Sequence, residues 1–393
     1  MLRSLPPSGV PIMPSDILAG LKDTLYGNKC LEGFKEDICR YFGVRHCFLV
    51  SSGRAALTML LKAMRQLSPD KDEVVLPAYT SFSVPSAVVK AGLKVSLCDI
   101  DPETMSPDID SLKESLSDKT LCLVVCHLYG YPCDMDAILR VARESGVFVI
   151  DDAAQAMGAT YKGKALGTFG DAGIFSLSRG KNITTIDGGI IITDSDKIAA
   201  ELSKLELKKA GFLDRLNLIF KAMIMSLLLR PPFYWIPQRL PFLKLGLSVF
   251  STEFGLKEFT GVQAGIGRRM LRRLKQINEG RKKRAGDLMA GLSGCNGVKF
   301  PREIAGAEPV FLRLPVRLNR IDDCGKAGLG IVRSYPYPLD EIDALRPHLV
   351  SDGRNFPGAK EFSMRVWTLP THVYVQQKDM KNILEHYSLK SEV

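Results

Sequence analysis

Three short segments combine residue types that could act together on one small molecule. The first contains Lys181, which lies between an apolar run and a glycine-containing turn and not on a charged helical face. Such a position removes water from the amine, which lowers its pKa toward that of a nucleophile. Taken alone, the segment is also compatible with an ordinary surface-loop lysine.

The other two segments supply an aspartate and a glycine turn. Asp152 follows the apolar pair Val149-Ile150, where a carboxylate could pair with a protonated ring nitrogen, bind a metal or cap the next helix. The run Ser51-Ser52-Gly53 is followed by a predicted helix, whose free backbone N–H groups suit a phosphate. A lysine for a Schiff base, an upstream aspartate for a pyridinium nitrogen and a phosphate-binding turn are the parts that pyridoxal phosphate requires.

An alternation of strands and helices would position these segments. Between residues 30 and 200, short apolar or β-branched runs alternate with helical patterns, which predicts an α/β fold with a largely parallel sheet covered by helices on both faces. Functional groups then belong to the loops that leave the carboxyl ends of the strands. We expect a large cofactor-binding domain over 1–265, with an apolar insertion at about 212–252, and a smaller C-terminal α/β domain over 266–393.

Several motifs carry a resemblance to a known family. The most specific ones are Asp152-Ala153-Ala154-Gln155-Ala156, then Gly167-x-Phe169-Gly170-Asp171-Ala172-Gly173-x-Phe175-Ser176, then Lys181-Asn182-x-Thr184-Thr185 with Gly188-Gly189. Shorter matches lie upstream and downstream, so that only residues 210–255 lack a counterpart. The chain resembles the DegT/StrS family of sugar aminotransferases, of the fold type I class, whose large domain has a mostly parallel seven-stranded sheet.

The resemblance implies a role for each matched residue. Lys181 would form the Schiff base with pyridoxal phosphate, Asp152 would pair with the pyridine nitrogen, and Gln155 would contact the 3-hydroxyl oxygen. Ser176 would bind the phosphate together with backbone donors at Gly53, Arg54 and Ala55.

The resemblance also implies a reaction. We expect a homodimer that moves an amino group, from glutamate, onto a keto-sugar linked to a nucleotide or a lipid, in cell-surface polysaccharide or glycolipid biosynthesis. Related dehydratases in this family carry histidine in place of the lysine, so Lys181 favours transamination.

Three positions depart from the family pattern. Arg54 stands where the family usually has threonine, and arginine can also pair with a phosphate. Ser81 stands where an aromatic residue commonly stacks on the cofactor ring, so either Phe82 or Tyr79 replaces that residue or the stacking is weaker. The family's Asn-x-Arg segment, which reaches the partner subunit's active site, is replaced by residues 255–260. The alternative hypothesis is therefore a non-catalytic paralogue that binds the cofactor or a partner, although the matched site residues argue against it.

Composition excludes several classes of protein. Of the 393 residues 46% are apolar and 24% are charged, which is typical of a globular chain, and no uncharged stretch approaches the roughly 20 residues that span a bilayer. The nine cysteines form no C-x-x-C pair and the N-terminus lacks a secretory signal, so we expect reduced thiols, a cytoplasmic protein and no metal site. The net charge of +10 includes basic residues at 268–284, which we interpret as the outer face of an amphipathic helix and not as a nucleic-acid site.

The apolar insertion has two interpretations. Its uncharged run 222–229 would extend about 12 Å as a helix and cannot cross a hydrocarbon core of about 30 Å. Aromatic residues at 233–235, flanked by Arg230, Arg239 and Lys244, give the mixture typical of a membrane-surface contact. A subunit interface or a lid over the second active site is the alternative, and the basic residues favour lipid for the segment 218–250.

Overall fold

The computed structural model describes residues 3–24, 28–239, 249–319, 324–350 and 353–391. Lys244, one of the basic residues that we expect beside the aromatic residues of the insertion, lies outside the described residues. The first nine strands along the chain are β1 (His46–Val50), β2 (Glu73–Pro77), β3 (Lys94–Cys98), β4 (Thr120–Cys126), β5 (Phe148–Asp152), β6 (Thr160–Tyr161), β7 (Lys164–Ala165), β8 (Ala172–Ser176) and β9 (Gly189–Thr193).

Seven of these strands form the central sheet, in the order β1-β9-β8-β5-β4-β2-β3. The neighbours from β8 to β3 are parallel, whereas β9 runs antiparallel to both β8 and β1. β4 is buried at all seven positions, as a strand must be when helices cover both faces of the sheet. The predicted α/β fold with a mostly parallel sheet is confirmed.

Twelve helices pack around and beyond this sheet in the described part of the chain. They are α1 (Pro14–Thr24), α2 (Asn28–Phe42), α3 (Gly53–Leu67), α4 (Ser83–Lys90), α5 (Ile109–Glu114), α6 (Met135–Ser145), α7 (Asp196–Lys204), α8 (Phe212–Leu228), α9 (Pro231–Gln238), α10 (Gly261–Leu292), α11 (Pro357–Arg365) and α12 (Gln377–Ser391). The last four strands are β10 (Val298–Lys299), β11 (Ala307–Glu308), β12 (Arg313–Leu318) and β13 (Val366–Pro370).

The C-terminal part builds a second, smaller sheet. β12 pairs antiparallel with β10 and β13, while β11 joins the hairpin of β6 and β7. The expected division of the chain between residues 265 and 266 falls inside α10, a continuous helix of 32 residues, and the two-domain division remains our proposal.

Strand order brings the chemically interesting loops together. Asp152 ends β5 and Ser176 ends β8, and these two strands are adjacent parallel neighbours. Gly189, at the start of the antiparallel β9, pairs with Ser176 on one side and with Val50, the end of β1, on the other. The turn after β1, the loop after β5 and the loop after β8 therefore meet at one edge of the sheet.

The basic residues of α10 do not all lie on an outer face, as the sequence led us to expect. Arg281 is only 1% exposed and donates from its two Nη atoms to the carbonyl oxygens of Leu312 and Gly9, both at 2.9 Å. Burial lowers the pKa of Arg281 to about 9. The helical pattern alone does not predict this, because the carbonyl partners come from distant parts of the chain.

Arg281 is therefore expected to contribute to stability. Replacement by alanine leaves buried carbonyl groups without donors and opens a cavity, so Arg281→Ala should lower the free energy of unfolding by about 3 kcal/mol. Urea denaturation measures this change, with Arg272→Ala on the exposed side of the same helix as the control. Equal effects of the two substitutions would contradict the structural role.

None of the nine cysteines, all of which lie in the described part of the chain, forms a disulfide, and seven of them are buried. Across the described ranges, no group of His, Cys, Asp and Glu side chains could hold a metal ion. None of the described helices combines the length and apolar character that crossing a membrane would need.

Candidate active site

A cavity of about 690 Å³ opens at the carboxyl ends of β1, β5 and β8. Six of the seven predicted site residues lie in its wall, namely Lys181, Asp152, Gln155, Ser176, Gly53 and Arg54. Ala55 does not: it is fully buried, and its backbone N–H donates to Ser52 Oγ at 3.1 Å as the cap of α3. Its N–H is thus already used by the helix cap.

Lys181 is held by a tightly folded loop between β8 and β9. Gly180, with a φ of +82°, makes the left-handed turn directly before it, a conformation that glycine adopts without steric cost. On the other side, Asn182 Nδ2 donates to Asn278 Oδ1 of α10 at 3.1 Å. Burial lowers the pKa of Lys181, and the nearby Asp152 only partly opposes this shift. The backbone at Lys181 is therefore fixed by its neighbours, and the amine is closer to its nucleophilic, neutral form.

Asp152 faces the same cavity from the end of β5. Its Oδ1 accepts the backbone N–H of Ala154 at 3.0 Å, and the thiol of Cys126 donates to Oδ2 at 3.7 Å. Burial raises the pKa of Asp152, while the Ala154 N–H and the Lys181 amine act in the opposite direction. A carboxylate with so few donors around it is best stabilised by a cation placed in the cavity.

The preceding carboxylate, Asp151, points to the opposite face of β5 and has a different function. It is fully buried and accepts hydrogen bonds from His127 Nε2 at 2.9 Å and from the backbone N–H groups of Gly167 and Phe169 at 2.7 and 3.1 Å. His127 Nδ1 accepts the Cys133 N–H at 3.0 Å, which leaves the ring proton on Nε2. Asp151 thus fixes the loop between β7 and β8 and does not line the cavity.

Gln155 is oriented by two hydrogen bonds. Its Oε1 accepts the backbone N–H of Tyr129 at 3.0 Å, and its Nε2 donates to the hydroxyl of Tyr335 at 3.1 Å. Burial raises the pKa of Tyr335 to about 12, so the phenol stays protonated. Tyr335 also lines the cavity, although no motif in the sequence analysis pointed to it.

The glycine turn after β1 lies directly against the end of β8. A Cβ atom on Gly53 would lie 2.9 Å from Ser176 Cβ and 3.0 Å from its Oγ. Only glycine therefore permits the start of α3 to approach Ser176 this closely. The hydroxyl of Ser176, which also bonds to Ser178 Oγ at 3.0 Å, and the N-terminus of α3 together form a small polar recess suited to an anion.

We expect Gly53→Ala to weaken phosphate binding. The added methyl group must displace Ser176, so the affinity for pyridoxal phosphate should fall by about tenfold or more, in keeping with the loss of one or two charge-assisted hydrogen bonds. Equilibrium titration with the cofactor measures this, and Gly286→Ala, where a Cβ meets no atom within 4 Å, is the matched control. If the Gly53→Ala variant binds pyridoxal phosphate as tightly as the unaltered protein, Gly53 is not part of the phosphate site.

Comparison with known proteins decides the family. A sequence model of the DegT/DnrJ/EryC1/StrS aminotransferase family matches residues 17–388. The GDP-perosamine synthase of Caulobacter vibrioides is 30% identical over 368 residues, which cover 89% of this chain and 87% of that protein. The chain belongs to the DegT/DnrJ/EryC1/StrS aminotransferase family. The resemblance found in the sequence is confirmed.

Solved structures agree with this assignment. DesV of Streptomyces venezuelae superposes with a TM-score of 0.73 at 25% identity and covers 93% of this chain and 90% of its own. The GDP-4-keto-6-deoxy-D-mannose-3-dehydratase of E. coli, solved with bound hydrated PLP, has a TM-score of 0.76 at 19% identity, covering 98% of this chain and all of its own. Some other relatives align over only about half of their length.

The three departures from the family pattern can now be located. Ser81 lines the cavity, but its expected substitutes do not: Tyr79 is buried and bonds to Tyr129, and Phe82 stacks on Tyr337 with ring centroids 5.2 Å apart. The aromatic rings in the cavity wall near Ser81 are those of Tyr129 and Tyr335.

Arg54 and part of the segment 255–260 also contribute to the cavity wall. Arg54 lines the cavity, with its guanidinium 4.7 Å from the ring centre of Phe254. The segment lines the cavity of its own chain through Lys257, Glu258 and Thr260. It therefore contributes to this cavity whether or not it also reaches the active site of a partner subunit.

One further wall residue, Arg313, was missed by the sequence analysis. It lies in β12 and is 6% exposed; its Nε donates to Thr368 Oγ1 at 2.7 Å and its Nη2 to the carbonyl oxygen of Gly330 at 2.9 Å. Among the described residues it forms no ion pair with a carboxylate, and burial lowers its pKa to about 10. An arginine in the apolar run Phe311-Leu312-Arg313-Leu314 was the available signal. It adds positive potential to the cavity.

Proposed function

We propose that the protein is a pyridoxal-phosphate-dependent aminotransferase that transfers an amino group from glutamate to a keto-sugar. The observation that carries this proposal is the position of Lys181, a partly buried amine of lowered pKa that shares one cavity with Asp152, Gln155 and the Gly53–Ser176 recess. Family membership and the PLP-bound structure of a relative support the same cofactor.

The residues of the cavity fit this cofactor by their donor sets. The recess formed by Gly53 and Ser176 suits the phosphate, with the cation of Arg54 beside it. Asp152 would pair with the ring nitrogen, and the amide of Gln155 would face the 3-hydroxyl oxygen. Pyridoxal phosphate, when bound, supplies a carbonyl carbon that amines attack and a ring that withdraws electrons from the carbon that loses its proton.

The chain's own residues then have separate tasks. Asp152 would stay ionised beside the ring and keep a proton on its nitrogen, which would maintain the electron withdrawal. Lys181 would hold the cofactor through Nζ between turnovers. Once an incoming amine had taken its place, the freed Nζ would accept the substrate proton and return it, because its lowered pKa suits both directions. The hydrogen bonds of Gln155 to Tyr129 and Tyr335 would keep its amide in place beside the 3-hydroxyl oxygen.

Glutamate as donor, a nucleotide or lipid carrier and a role in cell-surface polysaccharide or glycolipid synthesis are the finer parts of the proposal. We also propose that the active form is a homodimer, as the family resemblance implies. Light scattering on the active enzyme tests this, and a fully active monomer would exclude it.

The half-reaction with glutamate tests the proposal directly. The PLP-loaded protein is mixed with glutamate alone, and we expect the visible absorbance of the lysine-bound cofactor to disappear while one equivalent of 2-oxoglutarate forms per site. Addition of keto-sugar nucleotides, one at a time, should restore the absorbance only with an accepted substrate. Unchanged absorbance with glutamate and with every other amino acid would favour the non-catalytic alternative.

A further inference from the structure

Helix α8 carries apolar residues on two opposite sides. On the inner side, Ala222 and Met225 are buried and pack with Ile12, Ile17 and Ile186. On the outer side a second set of large apolar residues is exposed, and we call this set the α8 face. Its members are Phe212, Leu213, Leu216, Phe220, Met223, Ile224 and Leu227, with exposed fractions from 37 to 78%.

The α8 face is a continuous stripe and not a scatter of single residues. The spacing from Leu213 through residues 216, 220 and 223 to Leu227 is three, four, three and four, which places these side chains on one side of the helix. An apolar patch of this extent is unusual on a surface that stays in water, and a helix that is apolar on both sides is typical of one that is covered on both.

The charges around the α8 face indicate what covers it. Between residues 211 and 239 the cations are Arg215, Lys221, Arg230 and Arg239, against a single carboxylate, Asp214. That carboxylate is already paired with Lys257 Nζ at 2.7 Å. The segment therefore presents an apolar stripe within a cationic surface, next to the aromatic residues of α9.

We propose that the α8 face docks on the surface of an anionic phospholipid bilayer. Leu and Phe side chains of the stripe would enter the boundary of the acyl chains, while the cations reach the headgroups. A two-fold contact between copies through this face would instead place the same four cations against each other. Charge complementarity thus favours an anionic membrane over a second copy of the chain.

Docking through α8 also indicates a class of substrate, an inference that rests on the proposed function. Asn217, Leu218 and Lys221 of α8 line the same cavity as Lys181. The helix that contacts the bilayer is therefore also a wall of the active site, and the entrance lies beside the headgroups. A keto-sugar carried on a membrane-anchored phosphate or diphosphate lipid is the class of substrate that this geometry suits.

Vesicle cosedimentation tests the docking independently of catalysis. The full chain, loaded with PLP, is mixed at low salt with vesicles of phosphatidylcholine and phosphatidylglycerol, or of phosphatidylcholine alone. We expect binding to the anionic vesicles, and a fall in affinity of at least about tenfold for the double variant Leu213→Gln/Phe220→Gln. Arg215→Gln/Arg239→Gln should lose about fivefold for each cation removed.

The control variant removes exposed apolar surface elsewhere, at Tyr41 and Val373, which are 44% and 49% exposed. Tyr41→Gln/Val373→Gln should bind vesicles like the unaltered protein. The proposal is overturned if the unaltered protein stays in the supernatant with anionic vesicles. It is also overturned if the α8-face variant, Leu213→Gln/Phe220→Gln, binds these vesicles as tightly as the unaltered protein. A change of oligomeric state in that variant, without any vesicle binding by the parent, would assign the face to a protein interface.

The half-reaction with glutamate separates this proposal from the proposed function. The α8-face variant should carry out the half-reaction with glutamate at an unchanged rate, because neither of its substituted residues lines the cavity. Loss of vesicle binding with an intact half-reaction concerns docking alone, whereas a parent protein that binds vesicles but reacts with neither glutamate nor any other amino acid would contradict the proposed function and leave the docking intact.

Discussion

Lys181→Ala is expected to abolish the visible absorbance of the covalently bound cofactor and to slow amino transfer by at least about 10³-fold. The substitution removes both the amine that holds the cofactor and the base that moves the proton, and acid–base catalysis by a positioned group contributes about 10²–10⁴-fold by itself. Absorbance spectra of the loaded protein and single-turnover rates with glutamate measure the two effects.

The control for this variant is Lys197→Ala, on the exposed side of α7, which should leave both quantities unchanged. Because burial lowers the pKa of Lys181, covalent loading should speed up as the pH rises and reach half of its maximum below 10.5, the ordinary lysine value. Retention of the absorbance by Lys181→Ala, or a loading midpoint above the ordinary lysine value, would contradict the role assigned to this amine.

Asp152 and Asp151 should respond in opposite ways to the same substitution. Asp152→Asn keeps the shape of the side chain but removes the charge that holds a proton on the ring nitrogen, so the rate of amino transfer should fall by about 10²–10³-fold. Stability should change little or increase, since burial already raises the pKa of this carboxyl. The half-reaction rate and urea denaturation are measured on the same preparation.

Asp151→Asn is the matched comparison. An asparagine oxygen cannot accept all the hydrogen bonds that Asp151 accepts from His127, Gly167 and Phe169, so the free energy of unfolding should fall by about 2–3 kcal/mol. Once folded and loaded, this variant should retain most of the rate. A larger loss of rate in Asp151→Asn than in Asp152→Asn would contradict the assignment of Asp152 to the cofactor and of Asp151 to stability.

These two aspartates show how far the sequence could lead. The alternation of a strand predicts that they point to opposite faces, and the family motif selects the second of them for the cofactor. What the sequence could not supply is the environment of the first, because His127 lies more than 20 residues upstream and meets it only through the pairing of β4 with β5.

Tyr335 and Arg313 were missed for a related reason. Both come from the C-terminal part of the chain and line the cavity only in the folded protein, so no local spacing connects them with Lys181. Arg281 was assigned to the wrong side of its helix because its partners, Gly9 and Leu312, are carbonyl groups, which leave no signature in a sequence.

Helix α8 illustrates the reverse case. Its apolar character was evident from composition, and the structure adds that one side is buried while the other is exposed. The sequence alone could not separate these sides, since both follow the same helical period.

Borohydride reduction of the PLP-loaded protein, followed by mass spectrometry of its peptides, identifies the lysine that binds the cofactor. Reduction makes the bond between lysine and cofactor permanent, so we predict a pyridoxyl group on Lys181 in nearly every chain, and none when glutamate is added before the reductant. A pyridoxyl group on another lysine, or its absence from a protein that binds the cofactor tightly, would contradict the assignment of Lys181.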